Sequence, residues 1–222
     1  PFDVDRSGFV MGEGAAMMVL EKRSQAIQRG AKIYAELASS STLCLAAHVT
    51  GLDGAADSLA YLIRQLVTKA GWDYRGPDYI NAHGTGTSQN DLSELQGIRK
   101  GLDQQADRVL VSSNKAVLGH LINAAGSVEL AITAMALRDG FAPPTMNLKN
   151  QETQGRIDCM AEYGVQTELD RALKLSLAFG GHLVGIALQR CPLPELRRSA
   201  VPLVEGARVR QPAVVGRVRQ AA

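Results

Sequence analysis

Short apolar runs alternate with longer stretches of helical spacing along most of this chain, and that alternation restricts it to a layered α/β fold. Residues 1–14, with three glycines and mixed charges, read as a loop. Ala15 to Leu20 reads as a short buried strand. Glu21 to Arg29 carries helix formers and is stopped by Gly30. Ala31 to Ala38 reads as a second strand, and the small, polar residues 39–54 as a loop. Leu59, Leu62, Ile63, Leu66 and Val67 set one apolar stripe on a helix from Ala55 to Ala70, ended by Gly71. Tyr79 to Ala82 is another strand. Ser88 and Asp91 stand three apart in the manner of a capping box, which predicts a helix from about Asp91 to Leu102. Arg108 to Ser112 reads as a strand, Ser113 to Gly119 as a loop, and Asn123 to Arg138 as a long helix. Pro143 and Pro144 exclude helix there. Leu173 to Ala178 and Leu183 to Leu188 are apolar strands that form a hairpin across Phe179-Gly180-Gly181-His182. No tandem repeat of short period interrupts this order.

Composition narrows the function classes. The chain is 45% hydrophobic and 21% charged, as globular proteins are. Its net charge of +2 gives no bulk electrostatic argument for nucleic acid. No apolar run reaches the roughly 18 to 20 residues that a membrane span needs. No signal peptide opens the chain; residue 1 is proline, which reads as a cut or partial N-terminus. Cys44, Cys159 and Cys191 lack C-x-x-C spacing, so neither a metal cluster nor a redox motif is expected. They read as small buried apolar groups in a reduced, cytoplasmic compartment. The last stretch changes character. Four prolines and the arginines Arg197, Arg198, Arg208, Arg210, Arg217 and Arg219 make residues 191–222 a basic tail, expected to be disordered.

Two of the four histidines are candidates for chemistry. His83 lies in Ala82-His83-Gly84-Thr85-Gly86-Thr87-Ser88-Gln89-Asn90-Asp91, and His120 follows Gly119 just before the long helix. Both occupy strand-to-helix turns, where α/β proteins present functional groups. The positive end of the helix and nearby Lys115 both disfavour an imidazolium at His120. A neutral imidazole donates an N–H and suits the stabilisation of an oxyanion or enolate. The alternative is a pair of hydrogen-bonded turn residues, with Thr85 and Thr87 satisfying turn amides, Lys115 a solvated loop charge and Glu129 an exposed helix residue. His48 and His182 carry less signal.

Five segments in order resemble the β-ketoacyl-acyl-carrier-protein synthases, the condensing enzymes of fatty-acid elongation. They are Pro1-Phe2-Asp3…Arg6…Gly8-Phe9-Val10…Gly12-Glu13-Gly14-Ala15; Asn81-Ala82-His83-Gly84-Thr85-Gly86-Thr87 with Asp91; Asn114-Lys115…Gly119-His120…Ala124-Ala125-Gly126…Glu129; Ala136-Leu137-Arg138-Asp139-Gly140…Pro143-Pro144-Thr145…Asn147-Leu148; and Phe179-Gly180-Gly181 between its strands. The likeness covers about residues 1–190. It implies the thiolase-like fold, two similar halves packed as α-β-α-β-α layers. Residues 1–40 then correspond to the end of the N-terminal half and residues 41–190 to the C-terminal half. It also implies a decarboxylating Claisen condensation in fatty-acid or polyketide assembly. His83 and His120 would hold the malonyl thioester carbonyl, with Lys115 beside them and paired with Glu129. Thr85 and Thr87 would bind the phosphopantetheine arm of acyl carrier protein, the substrate carrier; no tightly bound cofactor and no metal are implied. Phe179 would gate the site and lend its backbone N–H to an oxyanion hole, with Gly180 and Gly181 in support. Asp91 would fix the loop at the helix start. The expected partners are acyl carrier protein and a second ketosynthase chain, as a homodimer or heterodimer, with neither nucleic acid nor membrane.

The likeness breaks at four places. The family's nucleophilic cysteine precedes the Pro1-Phe2-Asp3 segment, and none of the three cysteines here holds that position, so this chain by itself is expected to be inactive, a fragment or split subunit. His182-Leu183 replaces the usual Thr-Asn after Phe-Gly-Gly. Ser7 stands where aspartate is usual, and the loop around Ala46 to Thr50 is looser than the family pattern. An alternative reading is a non-catalytic, chain-length-setting partner in a ketosynthase heterodimer.

Overall fold

A computed structural model describes residues 1–45, 55–72, 74–152, 157–161 and 163–191. His48, the Ala46–Thr50 loop and the tail from residue 192 lie outside the described residues. The elements in chain order are α1 (Arg23–Gln28), β1 (Glu36–Cys44), α2 (Ala55–Lys69), β2 (Tyr79–Asn81), α3 (Ser88–Leu102), β3 (Leu110–Ser112), α4 (Lys115–Leu118), α5 (Ala125–Asp139), β4 (Phe141–Ala142), β5 (Val165–Gln166), β6 (Arg171–Ala178) and β7 (His182–Gln189).

Five strands form one mixed sheet in the order β1-β7-β6-β2-β3. β2 runs parallel to both β3 and β6, while β6-β7 and β7-β1 are antiparallel. The expected hairpin is therefore present, with Ala178 paired to His182. Strand periodicity of two divides β6 cleanly. Leu173, Leu175 and Leu177 join the core under α2 and α3, with Leu59, Leu62, Ile63, Leu66, Leu95 and Ile98. Ala172 faces the other way, into the cluster with Ala136 and Leu137 of α5. Helices thus cover both faces of the sheet, and the apolar stripe read on α2 is the face it buries.

Four expectations change. Ala15 to Leu20 belongs to no sheet, and Met17 and Val19 are 94% and 86% exposed. An apolar run is a buried strand only when another strand supplies its hydrogen bonds, and the described residues supply none to it. The strand expected at Ala31 to Ala38 begins only at Glu36 and continues to Cys44, through residues expected to be loop. The serines there dock on α2: Ser39 Oγ donates to the Leu66 carbonyl at 2.8 Å, and Ser41 Oγ lies 2.7 Å from Gln65 Oε1. An edge strand with hydroxyl partners tolerates the small polar residues that propensity assigns to loops. The expected loop at Ser113 to Gly119 contains the single turn α4. Finally, α3 begins at Ser88 with Thr87 as its N-cap residue and no side-chain cap, so no capping box forms. Asp91 is drawn instead to amides outside the helix.

Candidate active site

His83 and Lys115 leave the carboxyl ends of neighbouring parallel strands. Pairing of β2 with β3 extends one step beyond Asn81, because Ala82 N–H donates to the Ser112 carbonyl at 2.9 Å. Both chains then turn on the same edge of the sheet, the usual place for function in an open α/β sheet. Gly84 and Gly119 make the turns possible. Each has positive φ, and a Cβ on Gly84 would stand 2.5 Å from Ser113 Cβ, while one on Gly119 would stand 2.9 Å from the Val10 carbonyl oxygen.

The two imidazoles meet edge to face, with ring centroids 5.4 Å apart and an interplanar angle of 85°. Their hydrogen bonds define their tautomers. Ile122 N–H donates to His120 Nδ1 at 3.0 Å, so the His120 proton sits on Nε2. Lys115 Nζ lies 3.3 Å from His83 Nδ1 and, as an ammonium, makes that nitrogen an acceptor too. Both rings therefore offer an Nε2–H. Burial, and then the Lys115 charge, hold His83 well below the ordinary histidine range and lower His120 as well. The neutral state anticipated for His120 from the helix end and Lys115 owes most to burial and then to Lys115.

Lys115 is buried, not a solvated loop charge, and Glu129 is equally buried. Lys115 Nζ donates to the His83 carbonyl and to Glu129 Oε1, both at 2.6 Å. Burial and then Lys174 lower the Lys115 ammonium to about 8, against the pull of Glu129. Burial pushes the Glu129 carboxyl up, but Lys174 and Lys115 outweigh it and hold it below the usual range.

Two charged members escaped the sequence reading. Glu94 accepts the N–H groups of His83 and Gly84 at 2.7 and 2.8 Å, and burial drives its carboxyl up to about 7 although those amides resist. Lys174 on β6 places Nζ 2.7 Å from Glu129 Oε2. Each carried a faint signal: Glu94 shares the helical face of Leu95 and Ile98, and Lys174 interrupts an apolar strand. A charge on an apolar face must find a partner.

The N-terminal loop closes over this edge. Asp91 accepts Phe2 N–H at 2.7 Å and Gly86 N–H at 3.1 Å, and lies 3.6 Å from Arg6. Gly12 N–H donates to the His120 carbonyl and His120 N–H to that of Val10. Phe9 tilts against the His120 ring at 5.1 Å. Thr85 and Thr87 share a 2.9 Å hydroxyl contact, and Thr85, Lys115, Phe9 and Met146 line a cavity of about 460 Å³. Phe179 lies apart in the turn between β6 and β7, 74% exposed, and among the described residues no ring contact joins it to either histidine. Gly180 and Gly181 take positive φ there. Cys159 and Cys191 are buried, with thiols raised by burial, but Cys44 is exposed, against expectation, with Sγ 3.4 Å from the Gly180 carbonyl. Among the described residues no hydrogen bond links a cysteine to either histidine, and no group of three or more metal-ligating side chains gathers.

The family described as "Beta-ketoacyl synthase, C-terminal domain" matches residues 34–149, just over half of the chain. The chain belongs to the beta-ketoacyl synthase family. Among curated relatives, 3-oxoacyl-[acyl-carrier-protein] synthase 2 of Rhizobium meliloti is 40% identical over 190 residues, covering 86% of this chain and 45% of the relative. The tetracenomycin polyketide synthase ketoacyl synthase alpha subunit of Streptomyces glaucescens is 39% identical over 190 residues, again 86% and 45%. The chain thus spans less than half the length of these synthases. Among solved structures, a chain of a type II polyketide acyl-carrier protein in complex with its ketosynthase bound to the hexaketide superposes with a TM-score of 0.83 at 32% identity, covering 86% of this chain and 47% of that one. The ishigamide ketosynthase/chain length factor gives 0.79 at 33% identity, with 86% and 46% covered. The fold is accordingly thiolase-like, and the described sheet with helices on both faces accounts for one of its layered units.

Proposed function

We propose that this chain supplies the malonyl-binding, decarboxylating part of a β-ketoacyl-acyl-carrier-protein synthase site. The observation that carries the reading is the pair of neutral histidines, each with its proton on Nε2, 5.4 Å apart. Two such donors on one thioester carbonyl oxygen stabilise the enolate that forms when the malonyl carbon–carbon bond breaks and carbon dioxide leaves. The enolate carbon then attacks an acyl thioester carbonyl on a cysteine, forming the new carbon–carbon bond and releasing the cysteine thiolate. Lys115 and Glu129 hold His83 in its tautomer. Thr85, on the cavity wall, and Thr87 receive the phosphopantetheine arm of acyl carrier protein; no tightly bound cofactor is required. Phe179 gates the acyl side, with Gly180 and Gly181 giving its turn freedom and Asp91 fixing the histidine loop. Residues 1–40 act as the end of the N-terminal half and residues 41–190 as the C-terminal half, with a second ketosynthase chain as partner, in the cytoplasm. No helix among the described residues is long and apolar enough to cross a membrane.

The test is binding of malonyl-pantetheine, followed on the histidine ring signals by NMR. Both signals should move together, and His83→Ala and His120→Ala should each weaken binding by about tenfold, the loss of one hydrogen bond to a developing charge. Unchanged affinity in both variants would overturn the reading. The chain alone should not form an acyl-enzyme, since among the described residues no cysteine is hydrogen-bonded to the pair. Stable transfer of a radiolabelled acyl group from a carrier-protein thioester to Cys44, Cys159 or Cys191 would refute that part. The second reading, a chain-length-setting partner, draws support from His182-Leu183 in place of Thr-Asn; retention of both histidines favours the condensing role.

A further inference from the structure

One carboxylate in the site faces two buried ammonium groups. Glu129 Oε1 takes Lys115 at 2.6 Å, and Oε2 stands 2.7 Å from Lys174, a close ion pair that lies off the axis of an aligned hydrogen bond. All three side chains are 1–2% exposed. Lys174 Nζ also bonds the Leu175 carbonyl. Burying a lysine costs desolvation and rotamer entropy, and one lysine already neutralises one carboxylate. The second therefore leaves the triad with one positive charge unmatched. Its location is no accident of packing: period two along β6 sets Lys174 on the face of Ala172, toward α5, while Leu173 and Leu175 fill the opposite core.

We propose that Lys174 is a positioning residue of the His83–His120 site, acting through Glu129. It engages Oε2, which leaves Oε1 for Lys115 and turns the remaining Lys115 N–H groups onto the His83 carbonyl and Nδ1. The triad's excess positive charge, offset by Glu94 only when that carboxyl is ionised, favours an anion at the two histidines. This rests on the proposed function only in identifying that anion as the enolate. The other charged groups facing the pair are Glu94 and Asp91 from α3, the latter matched by Arg6 of the N-terminal loop.

The histidine ring signals of the 222-residue chain, titrated by NMR, test this without any substrate. Lys174→Gln should raise the midpoint of His83, and to a smaller extent that of His120, by about half to one pH unit, because a nearby cation is gone. Lys174→Arg should restore the wild-type midpoints. A lysine that merely filled space would lower the unfolding midpoint when replaced and leave both titrations where they were; that result overturns the proposal. Should Lys174→Gln not fold, Lys174→Met keeps the apolar stem and is read in the same way. If the wild-type chain does not bind malonyl-pantetheine, the proposed function falls while the titration still decides the role of Lys174.

Discussion

Glu129 is the residue on which the charges of the site converge, and its loss should be costly. Glu129→Gln leaves Lys115 and Lys174 buried without a counter-ion, so urea unfolding should show a loss of about 3–5 kcal/mol. A change below about 1 kcal/mol would mean that the pairs are solvated in solution. His83 makes a prediction in pH. Its folded state resists protonation, whereas the unfolded chain takes a proton near 6.5. The stability this contributes is present above pH 6.5 and is lost as pH falls toward the depressed folded value. Glu94 works in the opposite sense: its raised carboxyl contributes stability below 4.5 that is lost as pH rises through about 7. The difference between wild type and His83→Gln isolates the histidine, and the variant should lose less folding free energy between pH 7.5 and 5. Equal slopes would show that His83 titrates normally. Much at this scale was legible. Glycines before and after the histidines marked backbone that must turn tightly. Lys174 and Glu94 were not, because their partners sit on other elements and only folding brings them within 3 Å.

α2 and α3 cross where α3 has no side chain. A Cβ on Gly97 would stand 2.9 Å from Leu59 Cβ and Cδ2, and one on Gly101 would stand 3.0 Å from Ile63 Cβ. Alanine at an ordinary helical position stabilises by up to about 1 kcal/mol, but overpacking costs about 1–3 kcal/mol. Gly97→Ala should therefore lower stability by about 1 kcal/mol in urea titration, and a gain would show that the helices can separate. Elements with one strong period were readable in advance: the α2 stripe, and the β6-β7 hairpin around two glycines. The misplaced β1 and the missing capping box share one cause. Ser39, Ser41 and Asp91 find partners beyond their own element, in α2 and in the Phe2 and Gly86 amides. Local propensity has no access to such bonds.

At the scale of the molecule, the unusual surface among the described residues is the apolar run ending at Leu20, where Met17, Val19 and Leu20 are all exposed. Contiguous exposed apolar groups promote association. Met17→Glu with Val19→Lys should leave the unfolding free energy within about 0.5 kcal/mol while reducing self-association in sedimentation velocity. A loss above about 1 kcal/mol would mean that the run is buried in the free chain. The sequence by itself determined the α/β layering, the helix stripes, the hairpin and the two glycine-framed histidines, since each is a local pattern of side-chain period or backbone freedom. Only the tertiary structure decided that the histidines meet edge to face, that Ile122 and Lys115 fix their protons on Nε2, and that Glu94 and Lys174 stand with them. Those outcomes depend on which groups lose water together, and burial is a property of the packed sheet and its helices rather than of any stretch of chain.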